Sequence, residues 1–171
     1  LSGAGAGDYA FIPSAPIYPL TVGAGSSSSF TIEFTPSAPS GVRAASISID
    51  NDDITGGEDP CSINLTGISF DPQPTNHATG FACSIPTVSS IDLSWTDATG
   101  AVLPSGYLIL WSEVGFNAIT DPVDGTPVAD GPSALNIAQG TGAASPSGLS
   151  SNTTHFFKIF SYSGSGGSID Y

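Results

Sequence analysis

Asp50, Asn51, Asp52 and Asp53, followed beyond Gly56 and Gly57 by Glu58 and Asp59, form the densest group of oxygen donors in this 171-residue chain. Calcium takes about six to eight oxygen ligands, and a glycine-bearing acidic loop can wrap one, so Asp50, Asp52, Asp53, Glu58 and Asp59 are candidate metal ligands. Their spacing is not that of an EF-hand, whose ligands alternate through a fixed loop closed by a glutamate. The competing reading is a solvated turn of the same composition. No other cofactor is expected.

Cys61 and Cys83 are the two cysteines, and an even count invites a disulfide. Each falls on the inward phase of a strand in a different half, and a bridge needs Cα atoms within about 7 Å, so buried free thiols are the expectation. Two cysteines without a neighbouring ligand pair make no zinc site. His77 and His155 lie in no nucleophile-elbow context. Asp92 with Asp97, or Asp121 with Asp124, could be imagined as acid and base, but nothing sets either pair across a groove. The chain therefore reads as non-catalytic. Asn64-Leu-Thr66 and Asn152-Thr-Thr154 match the N-glycosylation acceptor pattern, whose use is left open.

Charge narrows the partners. Fifteen acids face two bases, Arg43 and Lys158, for a net charge of −13. A phosphate backbone demands a basic stripe that this chain lacks, which excludes nucleic acid, and anionic membranes are disfavoured for the same reason. The acid excess keeps exposed sheet edges apart. No apolar run is long enough to span a bilayer, so membrane insertion is not expected. The first residue is Leu1, not Met, which suggests a piece of something longer.

The elements that must carry these residues read as strands throughout. Gly 21 and Pro 14, with abundant Ser, Thr, Val and Ile, suit a turn-rich all-β protein. Residues 1 to 8 are small and read as flexible. Strands are expected at Tyr9 to Ile12, around Phe30, Ile32 and Phe34, around Ala45, Ile47 and Ile49, and around Cys61, Ile63 and Leu65. A proline cluster, Pro13, Pro16 and Pro19, excludes helix after the first of these. Phe70 to Asn76 is proline-spaced and reads as a short linker, which divides the chain into 1–69 and 77–171. Beyond it, FACSI (Phe81 to Ile85), ALNIAQ (Ala134 to Gln139) and THFFKIFSY (Thr154 to Tyr162) are further strands. The pivotal stretch is Ile91 to Glu113. Ile91, Leu93 and Trp95 alternate with polar neighbours, Gly100, Pro104 and Gly106 reverse the chain, and Tyr107, Ile109 and Trp111 can meet the first arm. A core of Ile91, Leu93, Trp95, Tyr107, Ile109, Phe157 and Ile159 follows, within two unlike antiparallel β-sandwiches in tandem.

Two resemblances overlie this reading. PTNHATGF (Pro74 to Phe81), LSWTDATGAVLPSGYLIL (Leu93 to Leu110), DGTPVADG (Asp124 to Gly131) and GLSSNTTHFFKIFSY (Gly148 to Tyr162) resemble a fibronectin type III domain of the sort common in secreted and surface proteins of Bacteroidota. Within it, Leu149 followed six residues later by an aromatic is similar to the tyrosine corner, with His155 as the expected hydrogen-bonding substitute. GAGAGDYAFI (Gly3 to Ile12), LTVGAGSSSSFTIEFTPSAPSGVRAASISIDNDD (Leu20 to Asp53) and INLTGIS (Ile63 to Ser69) resemble the end of a choice-of-anchor D, Ig-like domain related to ASH domains. That resemblance implies missing opening strands, and an open edge near Tyr9 to Ile12 and Phe30 to Phe34.

The resemblances imply an extracellular or cell-surface location and a structural or interaction module of an adhesive or fibre-forming protein, pairing with neighbouring domains or subunits through β-strands. The alternatives are a spacer appended to a secreted enzyme and a polysaccharide-binding surface. Phe116, Phe156, Phe160 and Tyr162 are the aromatics that could offer the last a platform.

Overall fold

In the computed structural model, residues 1–12, 20–37, 39–52, 60–84 and 86–171 are described. The proline cluster and Ile85 fall outside them. The chain divides into two compact units, Leu1–Ser69 and Phe70–Tyr171. Every strand pairing is antiparallel, and among the described residues there is no α-helix, hence no helix long and apolar enough to cross a membrane.

The first unit is built from two hairpin-like pairs. Strands β1 (Tyr9–Ile12) and β2 (Thr31–Phe34) form one, in the register Tyr9 to Phe34 and Phe11 to Ile32. The other joins β3 (Gly41–Ile49) to β4 (Cys61–Ser69), with Ala45 opposite Leu65 and Ile47 opposite Ile63. Alternation sets the inward face, where Ala45 and Ile47 are buried. Within the first sheet the Tyr9 and Phe34 rings lie 4.8 Å apart, tilted, and the Tyr9 hydroxyl crosses to the second, donating to the Arg43 carbonyl at 2.8 Å. Phe34 lies directly on Gly67, where a Cβ would run into the ring.

Residues 1 to 8, expected as a flexible arm, instead line the free side of β3. Ser2 exchanges backbone hydrogen bonds with Ser46 (2.9 and 2.8 Å), and Gly5 N–H donates to the Ala44 carbonyl (2.9 Å). The small composition permits this close approach, since a Cβ at Gly5 would stand 3.0 Å from the Ala44 nitrogen. Asp8 closes the arrangement. It is 6% exposed, lies 3.2 Å from the Arg43 Nε, and accepts both the N–H (2.9 Å) and the hydroxyl (2.7 Å) of Ser37.

In the second unit, strands β5 (Thr79–Cys83), β6 (Leu93–Thr96) and β9 (Ala143–Ala144) form one sheet with β6 central. The other places β7 (Gly106–Ser112) between β8 (Ala134–Ala138) and β10 (Phe156–Tyr162). Their inner faces share one core of Leu93, Trp95, Ala98, Tyr107 and Ile109, against which Ile91, Phe157 and Ile159 pack. The core read from alternation is the core observed, and the unit is a β-sandwich. Trp95 meets Tyr107 edge-on at 5.6 Å and gives its indole N–H to Asp97 at 3.0 Å. The Tyr107 hydroxyl, fully buried, accepts the Ala98 N–H at 2.7 Å.

The stretch 70–76, expected as a linker, is bonded into this second unit. The Pro72 carbonyl accepts the Ser163 hydroxyl, Gln73 donates to the Tyr171 carbonyl, and Asn76 donates to the Val102 carbonyl, all between 2.6 and 2.8 Å. Proline spacing makes the segment extended, and extension lets it reach these separate partners.

Two predictions follow from this packing. Trp95→Ala should cost about 3–5 kcal/mol, as aromatic truncations in cores do. Tyr107→Phe should cost about 1–3 kcal/mol, because it strands the buried Ala98 N–H. Denaturant melts of both variants check the order of the two losses. Acid tests the first unit. The Ser37 hydroxyl, then its N–H and the nearby Arg43, hold the Asp8 carboxyl below its usual range. A depressed carboxylate contributes stability above its unfolded value, about pH 3.9, and loses it as pH falls through the lower folded value. Unit 1 amide signals should therefore report declining stability below about pH 4, and Asp8→Asn should flatten that limb.

Candidate functional site

The acidic loop is only partly described. Asp50 and Asp52 are exposed at the end of β3, while Asp53, Glu58 and Asp59 lie outside the described residues. Among the described residues, no three His, Cys, Asp or Glu side chains converge as a metal group.

Both cysteines are free thiols, as expected, but exposed, which corrects the expectation of burial. Alternation gave each the right phase but not the depth. Cys61 opens β4 and Cys83 closes the outer strand β5, and at a strand end an inward phase meets no opposing sheet.

The carboxylates considered as acid–base pairs each hold structural partners. Asp92 accepts the Ser145 hydroxyl (2.7 Å), Asp97 the Trp95 indole, and Asp124 the Tyr171 N–H (2.9 Å), while Asp121 pairs with Lys158 (2.8 Å).

His155 occupies the corner position as expected. Its Nε2 lies 3.1 Å from the Ser150 carbonyl, above the buried Leu149. A carbonyl only accepts, so Nε2 carries the proton. Glu113 Oε1 is 3.9 Å from the other ring nitrogen, outside hydrogen-bond range.

The aromatics considered as a polysaccharide platform do not form an open row. Phe156, Phe160 and Tyr162 lie on the outward phase of β10, and all three are half-buried. Phe116 is the exposed member at 55%, and it is turned edge-on to Phe156 at 5.1 Å. The reason is a strap that alternation in the strands could not reveal. On the same outward phase, Leu108 of β7 is fully buried, so this face is covered. Residues 113–132, linking β7 to β8, supply the cover. Ile119 is buried, its carbonyl accepts Lys158 Nζ at 3.0 Å, and Asn136 donates to the Val128 carbonyl at 2.8 Å. Asp130 takes two hydrogen bonds from Asn136, which hold its carboxyl below the usual range. The Val128 N–H in turn donates to the Tyr171 hydroxyl at 3.2 Å.

Among the described residues, two surfaces bear most directly on function. One is the set of sheet edges in the first unit: among the described residues β1 and β2 pair only with each other, and β4 pairs only with β3. Ile12, Leu20, Val22 and Ile63 in that unit are between 39% and 51% exposed. The second is a cleft of about 320 Å³ between the β5–β6 and β9–β10 connections, beside His155. The sequence singled out Asn152 there only as a glycosylation acceptor; nothing in strand periodicity signals a cleft made by two connections.

No family model matches the chain. No curated protein matches it. Among solved structures the chain is similar to the FN3 domain of human collagen XX, with 26% identity, a TM-score of 0.37, and 56% of this chain and 81% of that chain covered. The sandwich of the second unit stands on its own two sheets.

Lys158 is the residue by which the strap can be tested. Lys158→Met keeps the aliphatic stem but loses the bonds to Ile119 and Asp121. The expected cost is about 1–2 kcal/mol, since charged hydrogen bonds are worth more than neutral ones but this ammonium is partly exposed. Hydrogen exchange should rise selectively across residues 113–132.

Proposed function

We propose that the chain is a non-catalytic structural and interaction module of a large extracellular or cell-surface protein, joined to neighbouring domains or subunits by β-strand pairing. The observation that carries this reading is the first unit's exposed apolar residues beside β1, β2 and β4, whose outer edges take no further strand among the described residues. An open edge offers backbone donors and acceptors in a row, and an added strand satisfies them while covering apolar side chains. The resemblance of the first half to choice-of-anchor D domains, and of the second to fibronectin domains of Bacteroidota, supports an adhesive or fibre-forming setting.

Composition bears on the kind of partner. A net charge of −13 opposes edge-to-edge contact between copies of the chain, so a strand from a neighbour that is not itself acidic pairs at lower electrostatic cost. A role as spacer in a secreted enzyme would use the same edges toward a covalently attached neighbour.

Sedimentation and hydrogen exchange on the 171-residue chain test the proposal. The expected result is fast exchange in β1, β2 and β4 relative to β6 and β7, with self-association or protection gained when a strand is supplied. A compact monomer at micromolar concentration, melting cooperatively with both units equally protected, would sink it.

A further inference from the structure

We propose that the cleft between the β5–β6 and β9–β10 connections is a binding site for a neutral sugar residue. The inference is independent of the strand-pairing reading, because it concerns the second unit and a different surface.

Three observations carry it. The first is charge. None of the residues lining the cleft is Asp, Glu, Lys or Arg, although the chain carries fifteen acids. A cationic ligand would find no counter-ion here and an anion no donor ammonium or guanidinium, so the complementary ligand is uncharged.

The second is unspent hydrogen-bonding capacity. The side chains of Ser89, Ser150, Ser151, Asn152 and Thr154 are exposed around the cleft and hydrogen-bond to no protein group among the described residues. Hydroxyls both donate and accept, and an amide offers each function at a separate atom, which is the set that a polyol's own hydroxyls require. Neighbouring backbone is tied down, so the rim is preorganised: Leu149 N–H donates to the Ser89 carbonyl (3.0 Å), and His155 bonds the Ser150 carbonyl.

The third is the lining and its shape. Leu149, buried, and Ile91, half-buried, are among the residues that line the cleft, so apolar side chains are present to meet the C–H face of a sugar ring. About 320 Å³ lies at the small end of ligand clefts, which suits one or two sugar rings. Asn152 sits at φ 56°, the left-handed region uncommon for a residue with a side chain, and so carries its amide on a turn of fixed conformation. An extended polypeptide is the competing occupant; the side-chain hydroxyls and the amide that project here without partners match a polyol's alternating donors and acceptors, which a peptide backbone does not require.

The test is an NMR titration of the 171-residue chain with neutral oligosaccharides of glucose, xylose, mannose and N-acetylglucosamine at millimolar concentration. At least one should shift the amide signals of residues 86–91 and 149–155. Asn152→Gly removes the amide while keeping the left-handed turn, and Ser89→Ala with Ser151→Ala removes two hydroxyls; each should weaken binding about tenfold without lowering the melting temperature. The proposal is overturned if no sugar in the panel shifts these signals, if shifts map to Phe116 and the strap instead, if the variants bind unchanged, or if an extended peptide alone occupies the cleft.

Discussion

Tyr107 is the joint on which the second unit depends. Its ring fills the space between the two sheets against Trp95, and its hydroxyl satisfies the N–H of Ala98, just beyond the end of β6. One side chain thus joins the sheets through apolar contact and fixes the path by which the chain leaves β6. Burial pushes the phenol's pKa up, the mark of a hydroxyl taken out of water between the sheets. The consequence reaches outward. With β7 held as the central strand of its sheet, β8 and β10 are placed on either side, and the outer face they share must be closed by something.

What closes it depends on the chain's scarcest resource. Arg43 and Lys158 are the two strong bases, and each is held by internal partners. Arg43 gathers Asp8 in the first unit, and its guanidinium also donates to the Ser37 carbonyl. Lys158 ties Ile119 and Asp121 of the strap to β10. An ion pair at a surface is worth little, but each base here also bonds a backbone carbonyl, Ser37 for Arg43 and Ile119 for Lys158. In a chain of fifteen acids, committing both cations to internal partners leaves the exposed polar surface to hydroxyls, amides and carboxylates.

How much of this is legible in the sequence depends on distance along the chain. Leu93, Trp95, Tyr107 and Ile109 were readable because a strand's period of two is local and a buried face leaves its mark every second residue. The strands around Phe34 and Ile47 were readable for the same reason, though not which strand each pairs with. Residues 1–8 were not: Gly and Ala look like an arm until β3 lies beside them, and closeness to a partner strand is not written in local composition. The strap was hidden likewise, since Ile119 and Val128 sit in an irregular stretch whose order comes from Lys158 and Asn136. Cys61 and Cys83 show the limit of phase, which tells the side of a strand but not whether a sheet extends far enough to cover it.

The second unit's cleft and the first unit's edges answer to different physics. Strand pairing is blind to side-chain identity, because the backbone supplies the bonds; what it requires is an uncovered edge, and the first unit has edges beside Ile12 and Ile63. The cleft has the opposite character. Binding there would draw on the hydroxyls and the amide of two connections, which the Leu149 N–H ties together at the Ser89 carbonyl. The two proposed roles therefore draw on different groups, backbone at the edges of one unit and side chains in the cleft of the other, so the residues that would serve one are not those that would serve the other.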